Sequence, residues 1–153
     1  MPCSALHWKV EMKKHLQFEI IDNKILNVLD FDWYINDIEM INISHSEIEK
    51  NKYAIYLSTS WETAELYFRT SDELLIKNEF KKLCSELNKV NQNFKEYFPR
   101  CFNFEKIKQV KKSGLLSHKI ELIFNSGNSV EFKTNSLIAK NLTADKQSAD
   151  FEV

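Results

Sequence analysis

The 153-residue chain holds only two glycines and two prolines. That is too few for a collagen-like repeat or for a Pro/Gly-rich disordered segment. No apolar run approaches the roughly 18 to 20 residues needed to cross a bilayer, and the opening MPCSALHWKVEMKKH lacks the apolar core of a signal peptide. A cytoplasmic chain without a membrane partner is expected. Cysteine is sparse: Cys3, Cys84 and Cys101 are odd in number, widely spaced and free of CxxC grouping, so reduced structural thiols are expected rather than a disulfide framework. His7, His15, His45 and His118 have no metal-ligand spacing, and no Ser or Cys sits in a nucleophile elbow. Gly114 and Gly127 alone cannot build a phosphate loop. Neither an enzyme nor a cofactor is expected from these absences.

What the chain does have is apolar and aromatic mass, 43% and 12% of its residues, enough for one domain with a core. The net charge of −1 conceals a gradient. Residues 1–94 hold 11 basic and 15 acidic side chains, 95–140 hold nine and four, and 141–153 hold one and three. A basic segment framed by acidic ones can face an anion such as DNA, although mixed solvated surfaces show the same modest excess.

Periodicity predicts an α+β fold of mainly antiparallel strands with one long amphipathic helix over about 72–91. The stretches LQFEII, KILNVLDFDWYI, IEMINIS and the pair YAIYLSTS and TAELYFRT have the alternation or β-branched and aromatic enrichment of strands. In SDELLIKNEFKKLCSELNKV the period changes. Ser71 is the expected N-cap, and Leu74, Leu75, Phe80, Leu83, Leu87 and Val90 form an apolar stripe that Cys84 adjoins. NQNFKEYFPR then reads as irregular around Pro99. FNFEKIKQV reads as a turn entering a strand, and HKIELIF with SVEFKT reads as a hairpin whose turn holds Gly127. Residues 1–15 are expected to be an extension, 16–140 a single β-rich domain, and 141–153 a mobile acidic tail. IEMINIS with its following hairpin is similar in layout to FEKIKQV with its own, a pattern that either internal repetition or the sameness of β-hairpins would produce.

The order DIEMINI, YAIYL, AELYF, helix, FNFEKIKQV and IELIFNSGNSVEF resembles the LytTR-type DNA-binding domain of bacterial regulators, over about residues 37–140. Asp37-Ile38 with Ile41, Asn103 to Ile107, and Gly127 with Val130 and Phe132 carry the resemblance. It implies a β-rich transcriptional regulator whose loops enter grooves of duplex DNA. Where that family carries His-Arg-Ser-Tyr ahead of the Asn, Tyr97, Phe98, Pro99 and Arg100 stand here, and Lys133-Thr134 stand where it has Ser-Arg. The DNA-docking candidates are therefore Lys52, Lys95, Arg100 and Lys133 for phosphates, and Arg100, Asn51 or Asn135 for base edges.

The competing expectation is a non-catalytic protein-interaction module such as an adaptor, inhibitor or immunity-type protein, because strands followed by an amphipathic helix also resemble a pleckstrin-homology-like arrangement. A homodimer is a further partner expectation. Glu131-x-Lys133 matches only the tail of a nuclease motif. Asp30 and Asp32 share a strand face that is better explained as solvent-facing than as a cation site. Trp8, Trp33 and Trp61 are expected mainly in the core.

Overall fold

The computed structural model describes residues 15–114 and 118–151. The expected N-terminal extension, with Cys3, His7 and Trp8, lies outside them except for His15. The chain folds as strand β1 (Glu19–Ile21), β2 (Ile25–Val28), β3 (Phe31–Tyr34), a 3₁₀ turn (Ile35–Asp37), β4 (Ile38–His45), β5 (Tyr53–Thr59), β6 (Thr63–Thr70) and helix α1 (Glu73–Val90). There follow β7 (Phe94–Tyr97), β8 (Arg100–Asn103), a second 3₁₀ turn (Phe104–Lys106), β9 (Ile107–Ser113), β10 (His118–Phe124), β11 (Ser129–Thr134) and helix α2 (Ser136–Phe151).

Three antiparallel sheets result, in the strand orders β1-β2-β3, β6-β5-β4-β8-β7 and β11-β10-β9. The α+β character and antiparallel pairing agree with the periodicity. Two readings need correction. Among the described residues there are two long helices, not one. α2 begins at the cap residue Asn135, whose Oδ1 accepts the Ile138 N–H at 2.9 Å, and runs through the segment expected to fade into a mobile tail. Its buried stripe is only Ala139 and Leu142, with Ala149 and Ile138 packed beside them, too narrow and small to give a strong helical period. The segment read as irregular is the β7–β8 hairpin, with Phe98 and Pro99 at its turn. A smaller correction concerns α1. Asp72 rather than Ser71 is its cap, with Oδ1 accepting from the Leu74 and Leu75 amides at 3.0 and 3.1 Å.

The order hairpin, 3₁₀ turn, three-stranded meander and helix occurs twice. The β2–β3 pair has the same two-residue connection and register as β7–β8, Ile25↔Tyr34 matching Phe94↔Asn103 and Val28↔Phe31 matching Tyr97↔Arg100. The closing bond repeats too: Ile35 N–H donates to Lys24 O and Phe104 N–H to Asn93 O, both at 2.9 Å. Each unit buries its own cluster. The first gathers Leu26, Trp33, Ile41, Leu57, Phe68, Phe80 and Leu83 among others, and the second gathers Phe102, Phe104, Ile107, Ile120, Leu122, Phe124 and Leu142. The hairpin β7–β8 belongs to the second unit yet completes the sheet of the first, because β8 pairs with β4 through Met40↔Phe102, Ile41↔Cys101 and Asn42↔Arg100. Its Cys101 faces the first core while Phe102 faces the second, so this hairpin is the layer on which both halves are built.

Cys84 and Cys101 are free and buried, and burial, with Cys101 nearby, pushes the Cys84 thiol far up from its ordinary range.

Candidate docking surfaces

The residues proposed for DNA contact are spread over separate elements. Lys52 lies in the loop before β5 and pairs with Glu49 at 3.1 Å. Lys95 lies on β7, half-buried and opposite Phe102. Arg100 points inward: its guanidinium sits 4.7 Å from the centre of the Phe132 ring, and burial lowers its pKa. Lys133 is the residue after Phe132 on β11, so strand alternation sends it to the opposite, exposed face, across from Lys119. Asn135 uses its side-chain oxygen as the α2 cap, and Asn51, in the same loop as Lys52, has a left-handed backbone. The fold thus brings Arg100 and the β11 strand together, but its guanidinium is spent on a half-buried contact with the Phe132 ring.

Three further features stand out, and sequence reasoning missed the first two. The first is aromatic. Phe31 on β3 stacks on Tyr67 of β6 with ring centres 5.4 Å apart, and Trp33 lies 6.3 Å from Phe31 on the same strand face. Trp33 is buried as expected, its indole N–H donating to Glu62 Oε1 at 2.7 Å, but Phe31 and Tyr67 stay 50% and 47% exposed. Leu29, in the β2–β3 turn, is about as exposed, and Trp61, next to Glu62 in the β5–β6 turn, is 68% exposed, contrary to the expectation of a core tryptophan. The backbone favours this display. Leu29 and Tyr67 have positive φ, 56° and 44°, a region that bulky side chains rarely occupy. At Tyr67 the β5–β6 register slips, since Tyr56 pairs with Glu65 but Ala54 with Arg69. This bulge keeps Leu66 and Phe68 in the core while Tyr67 turns out onto Phe31. Acidic groups adjoin the patch along the chain: Asp30 in the hairpin turn and, on the other face of β3, Asp32, whose Oδ1 accepts from Asn27 Nδ2 at 2.7 Å. Among the described residues no group of His, Cys, Asp and Glu is arranged to hold a metal ion.

A second feature joins the halves. Glu39 on β4 is almost fully buried and accepts from the Ser126 hydroxyl and, at 3.0 Å, from Asn128 Nδ2 in the β10–β11 turn. Asn128 also donates to the carbonyls of Thr59 and Ser60, at 3.4 and 3.3 Å. A cleft of about 470 Å³ opens beside this network, with Trp61 at its wall. The network consumes its own donors and acceptors, which fits a brace between the two turns better than a ligand site.

The third feature is basic. Along Lys106 to Ser113, Lys106, Lys108, Lys111 and Lys112 stand without one acidic residue, and β9 forms the outer edge of its sheet. The face of that sheet is different, for there the row Lys111, Glu121, Glu131 mixes signs and Lys119 pairs with Glu131 at 2.6 Å. The positive surplus belongs to the edge.

No family model matches the chain, and no curated protein is detectably similar to it.

Proposed function

We propose that the chain is a non-catalytic protein-docking module whose recognition surface is the aromatic patch of Leu29, Phe31 and Tyr67. The observation that carries this reading is the pairing of exposure with unfavourable backbone geometry. Two bulky residues, Leu29 and Tyr67, hold left-handed conformations, and the half-exposed rings of Phe31 and Tyr67 stack on one another at the surface. Strain of that kind is retained where the surrounding structure and a binding role offset it, and clustered aromatics supply rigid contact area at protein interfaces. Asp30 and Asp32 at the border select a partner segment that is apolar and basic.

A second reading, docking on duplex DNA as the LytTR resemblance implies, is favoured by one observation, the four lysines along residues 106–113 with no acidic residue among them. They would serve as sequence-independent phosphate contacts, with Lys133 beyond them on β11. One experiment separates the readings. Random-peptide selection is run against the intact protein and against Phe31→Ser and Tyr67→Ser, with duplex DNA titrated in parallel at two salt concentrations. Apolar peptides rich in Lys and Arg, retained by the intact protein and lost by both variants, support protein docking. DNA binding that both patch variants keep and Lys111→Glu/Lys112→Glu loses supports the second reading and ends the first if no peptide is enriched.

A further inference from the structure

The two units are joined edge to edge, and the same joint is open at both ends of the pair. Within the chain, the hairpin of the second unit lays β8 antiparallel on the outer edge of β4. The strand equivalent to β4 in the second unit is β9, since each follows a 3₁₀ turn directly and begins the meander. Its outer edge has no strand partner among the described residues. The strand equivalent to β8 in the first unit is β3, and it also ends its sheet, paired among the described residues only with β2. One end of the molecule thus has an acceptor edge without a hairpin, and the other has a hairpin without an acceptor edge.

Charge says what fits. The hairpin region 19–37 carries Glu19, Asp22, Asp30, Asp32 and Asp37 against the single Lys24, while 106–113 carries four lysines and no acid. Transferring the internal register makes the match residue-specific. Met40↔Phe102, Ile41↔Cys101 and Asn42↔Arg100 become Gln109↔Trp33, Val110↔Asp32 and Lys111↔Phe31. The internal bond from Ile43 N–H to Pro99 O, 2.9 Å, becomes one that brings Lys112 to Asp30. Lys112 then meets a carboxylate, and Lys111 reaches the exposed Phe31 ring, a cation over an aromatic face. Lysines on a sheet edge ordinarily prevent indiscriminate strand pairing. Here they admit an acidic edge and repel a basic one.

We propose that copies of this chain associate head to tail, the β3 edge of one on the β9 edge of the next. This rests on the reading of the Phe31 patch as a docking site and names its partner. The joint is weaker than the internal one. α1 offers the β7–β8 hairpin Phe80, Leu83, Cys84 and Leu87, whereas α2, aligned by its cap Asn135 on Asp72, has Thr143, Lys146, Gln147 and Asp150 in those places. An interface of ladder bonds and charge, without that apolar seat, is reversible and salt-sensitive. Because the contact is heterologous it makes open chains or rings rather than two-fold dimers.

The test is sedimentation of the intact protein at about 50 mM and about 500 mM salt, beside Asp30→Lys/Asp32→Lys and Lys111→Glu/Lys112→Glu, each first checked for unchanged melting. The intact protein is expected to grow in mass with concentration at low salt and to revert at high salt. Each variant alone is expected to weaken association at least tenfold, about 1.4 kcal/mol, and an equimolar mixture of the two, which restores opposite charges at every joint, is expected to associate again. A monomeric protein at every concentration overturns the proposal, as do variants that associate like the parent or a mixture that stays apart. If association fails but the peptide selection still retrieves Phe31-dependent basic peptides, the docking surface stands and only its occupant is wrong.

Discussion

The first and second units share an order of elements and a hairpin register, yet they spend their side chains differently. Aligned on their caps, Leu74, Lys77 and Asn78 of α1 recur as Leu137, Lys140 and Asn141 of α2, after which the helices part. α1 continues with an apolar face that fills a core between two sheets, and α2 continues with polar residues over a smaller cluster. Likewise Glu39 on β4 is buried in the brace between turns, while Lys108, its counterpart on β9, is exposed. The lesson is that a repeated backbone plan fixes where edges fall, and that side-chain chemistry then decides whether an edge is filled from within or left for a partner.

The change expected to have the largest effect is at the layer both units share. Phe102 is fully buried, pairs with Met40 and packs against Phe104 and Phe132. Phe102→Ala is expected to destabilise by about 3–5 kcal/mol, with one unfolding transition for both halves. Tryptophan fluorescence, to which Trp33 and Trp61 of the first unit contribute alongside Trp8, should change together with far-ultraviolet circular dichroism. Separate transitions would break the picture of a shared layer.

The next contrast is between equivalent positions. Glu39→Ala removes the acceptor of the Ser126 hydroxyl and one of the three acceptors of the Asn128 amide and should cost about 1–3 kcal/mol, whereas Lys108→Ala should stay within about 0.5 kcal/mol. Equal effects in chemical denaturation would mean that Glu39 does not brace the two turns.

These contrasts also mark what was legible beforehand. Strands β4, β5, β6, β10 and β11 and helix α1 follow from alternation and from a broad apolar stripe. The Gly127 turn follows from residue type. The β1–β2 and β2–β3 turns were hidden because Asp22, Asn23 and Leu29 adopt positive φ without glycine. The β7–β8 hairpin was hidden because its strands are four residues long, too short to display a period. Of the candidate site, the basic surplus was visible as composition, but its concentration on a free edge depends on sheet order. The aromatic patch depends on Tyr67 of β6 meeting Phe31 of β3, strands distant in sequence and in different sheets, and no local pattern announces that contact. Asn135 reads from sequence as a base-reading amide, but the helix that follows it was not foreseen and its oxygen is used as that helix's cap in the fold.

The caps give a smaller test. Asp72→Ala and Asn135→Ala should each lower stability by about 1 kcal/mol, the matched size expected of corresponding positions. Asn135→Ala should leave duplex DNA affinity unchanged. A selective loss of DNA binding in that variant would revive its role as a reader.

The smallest effect concerns pH. Burial, followed by the hydrogen bond to Asp145, raises the Tyr97 phenol above its ordinary value of 10.0. The folded state therefore keeps this proton where the unfolded chain has released it. The associated stability is complete below about pH 10 and declines as pH rises through the folded-state value. Tyr97→Phe should flatten that decline when the two proteins are compared between about pH 9 and pH 11. An identical slope in both would show that the phenol is as free to ionise in the fold as in the unfolded chain.

The most direct test of the claim that the array's open ends are its docking edges is backbone hydrogen exchange, comparing concentrated protein at low salt with dilute protein at high salt. The account predicts that amides of β3 and β9 gain protection together while the internal β4–β8 joint is unchanged. Protection gained elsewhere, or no difference at either edge, would contradict it.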